Sequence, residues 1–290
     1  MRLGKQRNEN KYLAIKYFYE TKIWSINWMC KVLNISRASY YKWLHKEVPR
    51  QELENIELAR LIKEYDERFN HILGYRRMTS WINHFNQTNY SKKRVHRIMQ
   101  KLGIHSVIRG KKNKYISVKP ETIAENILQR DFYATEPNQK WVTDITEFKV
   151  PREKKKIYLS AILDLYDRYP VAYVLSSRND NKLVFKTFDK AIKDNPLAKP
   201  IFHSDRGFQY TSKVFQRKLK EKEMKQSMSR VGHCIDNGPV EGFWGIIKSE
   251  MYQMYEITDE ESLRYAINDY MRFYSEERLQ DRFNCKTPLE

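Results

Sequence analysis

The chain has 290 residues, 41% of them hydrophobic and 13% aromatic, which is enough to bury a core and excludes wholesale disorder. At about 150 residues per domain there is room for two domains. Lys and Arg total 54 against 36 Asp and Glu, a formal charge of +18. The longest charge-free stretch near the start, Ile23–Cys30, is far short of the ~20 residues that span a bilayer, so no membrane partner is expected.

The charge is unevenly spread. Residues 1–130 carry 27 basic and 11 acidic side chains, a net +16, whereas residues 131–290 carry 27 and 25, a net +2. The first part is suited to a polyanion such as nucleic acid; the second is nearly balanced. Met1-Arg-Leu-Gly-Lys-Gln-Arg has no apolar signal core behind it. Cys30, Cys234 and Cys285 are odd in number and far apart, and the seven His form no cluster of metal-ligand spacing, so neither a disulfide framework nor a zinc site is expected. A reducing cytosol is the default setting.

Most of the few Gly and Pro lie after residue 103, so the first hundred residues read as helical. Helices are expected over Lys11–Glu20, Ser25–Leu33, Arg37–His45, Glu52–Asn70, Tyr75–Phe85 and Ser91–Leu102. Two pairs have helix-turn-helix character. In the first, Met29, Val32 and Leu33 form the apolar face, Ser36 caps the next helix, and that helix presents Arg37 and Lys42 with aromatics between them. In the second, Arg76 and Arg77 open one helix. Ser91 caps the other, which is lined by Lys92, Lys93, Arg94 and Arg97, while Val95, Ile98, Met99 and Leu102 keep apolar spacing. A helix N-terminus with Lys and Arg suits phosphate, and such a helix fits the major groove; a solvated helical hairpin would look the same. Residues 91–120 hold ten basic side chains and no acidic one, ending in Arg109-Gly-Lys-Lys-Asn-Lys, a backbone-gripping segment or linker.

After Pro120–Arg130, a connector or short helix, the pattern changes to alternation. Strands are expected at Lys140–Val150 and Lys156–Leu165, joined by a hairpin turn, then at Pro170–Ser176, Pro200–His203 and Met224–Met228. Helices are expected at Asn181–Asp194, Ser212–Lys222, Pro239–Tyr252 and Ser262–Ser275. Three strands followed by alternating helix and strand indicate an α/β domain with a mixed sheet flanked by helices.

Asp144 lies mid-strand between apolar neighbours. Asp205 follows a strand and precedes Gly207, which allows a sharp exit. Glu241 lies near the start of a helix. Carboxylates on rigid elements suit Mg²⁺ or Mn²⁺, and two such ions ~3.5–4 Å apart can activate a hydroxyl and stabilise a leaving oxygen in phosphoryl transfer. The residues alone do not single out these three, because Asp164, Asp167 and Asp236 are rivals.

A resemblance separates them. The stretches Pro137-Asn-Gln-Lys-Trp-Val-Thr-Asp-Ile-Thr, Tyr158-Leu-Ser-Ala-Ile-Leu-Asp-Leu, His203-Ser-Asp-Arg-Gly-Phe-Gln-Tyr, Ser227-Met-Ser-Arg-Val-Gly and Asp236-Asn-Gly-Pro-Val-Glu-Gly-Phe-Trp-Gly-Ile-Ile-Lys-Ser-Glu resemble the IS-three family of insertion-sequence transposases, in the product of its second reading frame. So do Gly74-Tyr-Arg-Arg-Met and Lys93-Arg-Val-His-Arg-Ile-Met-Gln-Lys-Leu-Gly-Ile in the helical region. Thirty-five residues lie between Asp205 and Glu241, and Lys248 follows seven after Glu241, as in the family pattern. The likeness runs over most of residues 26–290.

The resemblance implies a ribonuclease H-like catalytic domain with a mixed five-stranded sheet, preceded by an all-α helix-turn-helix region. Asp144, Asp205 and Glu241 would be the catalytic residues and would hold Mg²⁺ or Mn²⁺, two ions in the family scheme. The reaction implied is nicking at element ends followed by attack of the freed 3′-OH on another phosphodiester. The partners implied are double-stranded DNA, both terminal inverted repeats and target, and further copies of the chain on that DNA. The product of the upstream frame, a helix-turn-helix protein, is implied as a fusion or helper. A bacterial cytoplasmic, nucleoid-associated setting follows. The expected division is 1–50 and 51–118 as two DNA-binding segments, 119–136 as connector, 137–255 as catalytic core and 256–290 as helical extension. Lys248 is expected at terminal DNA or phosphate, His203 and both Trp141 and Trp244 as packing residues.

There are departures. Glu147 stands where relatives often carry an aromatic; three residues from Asp144 on one strand, it is expected on the opposite sheet face and away from metal. Relatives also run a little beyond Thr287-Pro-Leu-Glu290. Two other readings stay open, a DNA-binding regulator with an inert ribonuclease H-like domain and a nuclease without joining activity.

Overall fold

Helical spacing of apolar residues carries through into the structure, a computed structural model that describes residues 8–45, 49–108, 125–230 and 234–290. The chain divides into two units, one up to His105 and one from Ser106.

The first unit contains α1 (Glu9–Lys22), α2 (Ile26–Val32), α3 (Arg37–Leu44), α4 (Arg50–Arg68), α5 (Tyr75–Phe85) and α6 (Lys92–Leu102). In the first three, Tyr12, Ile15, Met29, Cys30 and Tyr40 form a small core, with Tyr12 stacked on Trp43 at 5.5 Å between ring centres. In α4–α6 the buried stripe is Leu58, Leu61, Ile62, Met78, Trp81, Ile82, Val95, Ile98 and Met99. Each fully buried aliphatic or aromatic side chain contributes about 1.5–3 kcal/mol. Both serine caps form: Ser36 Oγ accepts from the Ser39 N–H at 3.4 Å and Ser91 Oγ from the Arg94 N–H at 3.2 Å. Gly103 closes α6 at φ +71°, a backbone state that glycine adopts without steric cost, so Ile104 N–H can reach back to the Met99 carbonyl at 2.9 Å.

The second unit contains β1 (Lys140–Lys149), β2 (Lys156–Asp164), β3 (Pro170–Ser176), α7 (Asn181–Asp194), β4 (Ile201–Ser204), α8 (Phe208–Thr211), α9 (Lys213–Glu221), β5 (Lys225–Met228), α10 (Gly238–Met254) and α11 (Glu260–Glu276). The sheet order is β3-β2-β1-β4-β5. β1, β2 and β3 are antiparallel, while β4 pairs parallel with β1 and β5 parallel with β4. This is the mixed five-stranded, ribonuclease H-like sheet. The short α8 was not anticipated: its four residues are too few to show a period, and buried Tyr210 and Gln209 hold it against the unit. Residues 125–130 form turns rather than a helix.

Two layers flank the sheet. One core joins Trp141 and Ile162 to α7 and α9, where Phe188, Phe202 and Phe215 meet in pairs at 5.5–5.6 Å. Trp141 and Phe202 point there, so by period-two alternation Val142, Asp144 and Phe148 on β1, and His203 on β4, point to the other face. That face is covered by α10, with Val240, Phe243, Ile247 and Met251 buried, and by α11. Glu250 is buried between these two helices. It accepts from the Tyr270 hydroxyl at 2.9 Å and from two nitrogens of Arg278 at 2.9 and 3.0 Å, which fastens α11 and the following turn to α10.

Candidate active site

The site is built where β1 and β4 run side by side. Their register ends with Val142 beside His203; two residues further along each segment come Asp144 and Asp205, near enough for the charge of Asp205 to act on Asp144. Across the antiparallel pair, Asp144 stands opposite the fully buried Ala161. Asp205 lies just past the end of β4, where the chain turns into α8. The Gly207 N–H donates to Asp205 Oδ1 at 2.9 Å. A Cβ at Gly207 would stand 2.9 Å from Gln209 Oε1 and 3.0 Å from Asp205 Oδ1. A side chain here would press on the carboxylate, whereas the backbone itself, at φ −54°, does not need glycine.

Glu241 lies in the first turn of α10 and is exposed. Two bonds fix that helix end to β1. Asn237, at the helix start, donates from Nδ2 to the Thr143 carbonyl at 3.1 Å, and Trp244 donates from Nε1 to Asp144 Oδ2 at 3.0 Å. The turn leading into α10 is anchored by Asp236, fully buried. Its carboxylate accepts from Asn126 at 2.9 Å, Arg130 at 2.6 Å, and the backbone and guanidinium of Arg230 at 2.9–3.0 Å. Those donors hold the Asp236 carboxyl well below the usual carboxylate range. Asp236 is thus an anchor for the turn. The other two rivals serve turns as well: Asp164 accepts from the Asn138 and Tyr166 N–H groups, and Asp167 from the Tyr169 N–H.

The three candidate carboxylates share one field. Burial, then the charge of Asp205, and more weakly that of Glu241, push Asp144 up to about 7. Burial raises Asp205; Glu241, exposed but partly desolvated beside the sheet, is raised by that desolvation and then by the charge of Asp205. Three carboxylates raised together are poorly compensated negative charge, the environment that a hard cation with oxygen ligands relieves. In donor chemistry the trio fits Mg²⁺ or Mn²⁺. Among the described residues, however, no three His, Cys, Asp or Glu side chains converge as a ready-made metal cage.

Lys248 sits two turns beyond Glu241, half-buried, with its ammonium 5.5 Å from the centre of the Phe148 ring. Burial lowers its pKa, and the charges of Glu147 and Asp144 oppose that shift. Glu147 itself is exposed and accepts from Lys156 at 2.9 Å. His203 is fully buried. Its ring hydrogen-bonds with Ser227 Oγ at 2.8 Å and Ser229 Oγ at 3.1 Å, pinning β4 to β5, and burial lowers its pKa to about 4.

In the helical unit, Arg37, Lys42, Lys92, Lys93 and Arg97 are exposed. Arg76 is exposed with its guanidinium 5.8 Å from the Tyr75 ring centre, and Arg77 donates to the Ile72 carbonyl at 2.7 Å. Arg94 is committed inside the unit. It donates to Asn55 Oδ1 at 2.9 Å and Glu54 Oε2 at 3.1 Å, and lies 5.2 Å from the centre of the Tyr90 ring. The basic run from Arg109 to Lys114 lies outside the described residues.

Trp244, expected as a packing residue, and Asn237 both reach β1 from α10. The spacing held a signal for Trp244: three residues after Glu241 is one helical turn, so whatever faces Asp144 from Glu241's side of the helix includes that ring. Asn237 acts on a carbonyl 94 residues earlier, which no local pattern reveals.

Comparison with known proteins gives first the class. Residues 52–112 match an HTH-like domain, and residues 134–234 and 222–288 match integrase core domain models. The InsK transposase of insertion sequence element IS150 from Escherichia coli K12 is 35% identical over 263 residues, covering 90% of this chain and 91% of that protein. A transposase-like protein of Haemophilus influenzae is 41% identical over 199 residues, 68% of this chain and 90% of that one. The HTLV-2 integrase catalytic core domain in complex with magnesium superposes with a TM-score of 0.41 at 22% identity, over 53% of this chain and 95% of that chain. The chain belongs to the IS-three family of insertion-sequence transposases, with an HTH-like domain ahead of an integrase core. Among the described residues no helix is long and apolar enough to cross a membrane.

Proposed function

We propose that this chain is a transposase that cuts DNA at the ends of an insertion sequence and joins the freed 3′-OH ends to other DNA. Asp144, Asp205 and Glu241 are the catalytic carboxylates in this reading. The observation that carries it is the nearness of Asp144 on β1 to Asp205 just past β4, with Glu241 at the start of the helix bonded to Asp144 and all three carboxyls raised, Asp144 and Glu241 partly by the charge of Asp205. Similarity to InsK over nine-tenths of both chains supports the same reading.

Divalent Mg²⁺ or Mn²⁺, two ions in the full scheme, would be held by these carboxylates and would supply activation of the attacking hydroxyl and stabilisation of the leaving oxygen. The chain's own residues provide the positioning. Gly207 orients Asp205 through its N–H, and Asn237 and Trp244 hold α10 against β1. Asp236 fixes the turn that leads into α10, the helix that bears Glu241. Lys248, on the same helix face, supplies a cation for a DNA phosphate at the mouth of the site. Arg37, Lys42, Arg76, Lys92, Lys93 and Arg97 grip the duplex backbone of terminal repeat and target, while Arg77 and Arg94 work mainly as fasteners of their own unit. Segments 1–50 and 51–118 take this binding role, 119–136 connects them to the core at 137–255, and 256–290 buttresses α10. Two element ends must meet in one reaction, so copies of the chain assemble on DNA, with the upstream-frame product as helper.

Incubating the purified chain with DNA that carries the element's termini and Mg²⁺ or Mn²⁺ tests the reading. A transposase yields nicked ends and then longer strands containing a labelled 3′ end. Products that stop at nicking identify a nuclease, and binding without nicking identifies an inert regulator.

A further inference from the structure

We propose that Trp244 is a positioning residue for Asp144: its indole N–H ties one carboxylate oxygen to α10, so that Asp144 meets a divalent cation through the other oxygen. This rests on the metal-dependent reading above.

The geometry comes from both partners. An indole N–H can only donate, and when buried it needs an acceptor. Trp244 is buried, and its acceptor is Asp144 Oδ2 at 3.0 Å, from a strand one hundred residues away in sequence. A core residue present only to fill volume has no need to spend its donor on a candidate metal ligand. The ring is held in place by the neighbouring Phe243, 5.1 Å away, which in turn meets Tyr274 of α11 edge-on at 4.7 Å.

The bond acts on two carboxylates at once. Trp244 lies one helical turn after Glu241, so the contact that orients Asp144 also sets the rotation of α10 about its own axis. Asn237, bonded to the Thr143 carbonyl, makes the second point of attachment, and two points fix a rotation where one would not. Metal-binding carboxylates are themselves held by hydrogen bonds from their surroundings, and losing such a partner costs roughly 10–100-fold in metal affinity. The trio is not closed into a cage among the described residues, so the setting of Asp144 and α10 decides how readily a cation draws it together.

The test uses the full chain as wild type, Trp244→Phe and Asp144→Asn, each labelled with ¹⁵N-tryptophan and titrated with Mn²⁺ while free Mn²⁺ is read by electron paramagnetic resonance. Trp244→Phe keeps an aromatic ring and removes the donor; Trp244→Tyr, also lacking an indole N–H, stands in if the Phe variant does not fold. The indole signal missing from the Trp244 variant identifies that residue. We expect that signal to move in Asp144→Asn, and Mn²⁺ uptake in the Trp244 variant to weaken by roughly 10–100-fold with the thermal transition retained. Wild-type uptake in a folded Trp244 variant, or an indole signal unmoved in Asp144→Asn, overturns the inference alone. A wild-type chain that takes up no Mn²⁺ overturns the metal-dependent reading and this inference with it.

Discussion

Gly207 shows how a single missing side chain shapes the site. Its N–H holds Asp205, and an added methyl would press on that same carboxylate and on Gln209 at about van der Waals overlap. We expect Gly207→Ala to leave DNA binding intact while lowering strand joining several-fold, since the Asp205 carboxylate must give by a few tenths of an ångström and a full ångström at a reacting group costs about 100-fold. Gel-shift and joining assays on the same preparation check it. Asp236 is the complementary case, a carboxylate whose full set of donors makes it structural. Its folded pKa is depressed, so its stabilisation is present above the ordinary Asp range near 3.9 and is lost as pH falls through the depressed folded value. Asp236→Asn should destabilise the chain by about 2–3 kcal/mol at neutral pH, and the gap to wild type should narrow below pH ~4. Denaturant melts across that range measure it; a gap that widens in acid would contradict the sign.

Arg94 illustrates what helix patterning can and cannot convey. Its place in the basic row of α6 makes it look like its neighbours, yet its guanidinium spans to Glu54 and Asn55 of α4, forty residues earlier. We expect Arg94→Ala to lower the stability of the helical unit by about 1 kcal/mol, modest because the pair is part-exposed. A triple Lys92, Lys93 and Arg97 to Ala variant should leave its melting unchanged. The helices themselves were legible: the bounds expected for α5, α7 and β3 match the structure residue for residue, because each pairs a clear period with a capping or breaking residue at its end. The short α8 was not, since it rests on Tyr210 being buried. In the site, the three carboxylates stood out through their spacing within family motifs, whereas Asn237, Asp236 and the indole donor of Trp244 act through partners distant in sequence. Their roles exist only once β1, α10 and the turn before it are assembled.

Over the whole molecule, the sequence places +16 in residues 1–130 and +2 in the remainder. Binding of the first part to duplex should fall with salt, and each phosphate contact removed should reduce the slope of log affinity against log salt by about 0.9. The triple Ala variant should therefore flatten the slope by between two and three units, and an unchanged slope would remove α6 from the DNA interface. Of the 25 acidic side chains in the near-neutral second part, Asp144, Asp205 and Glu241 are the three whose carboxyls are raised beside one another, which joins fold, charge and family. The central claim is tested most directly by strand joining on DNA that carries the element's termini, with a labelled 3′-OH end and Mg²⁺ or Mn²⁺. The wild-type chain should move the label into longer strands, and Asp144→Asn, Asp205→Asn and Glu241→Gln should each lower that product by roughly 1,000-fold or more while still binding the DNA. Joining retained at the wild-type level in any one of the three would contradict the account for that residue.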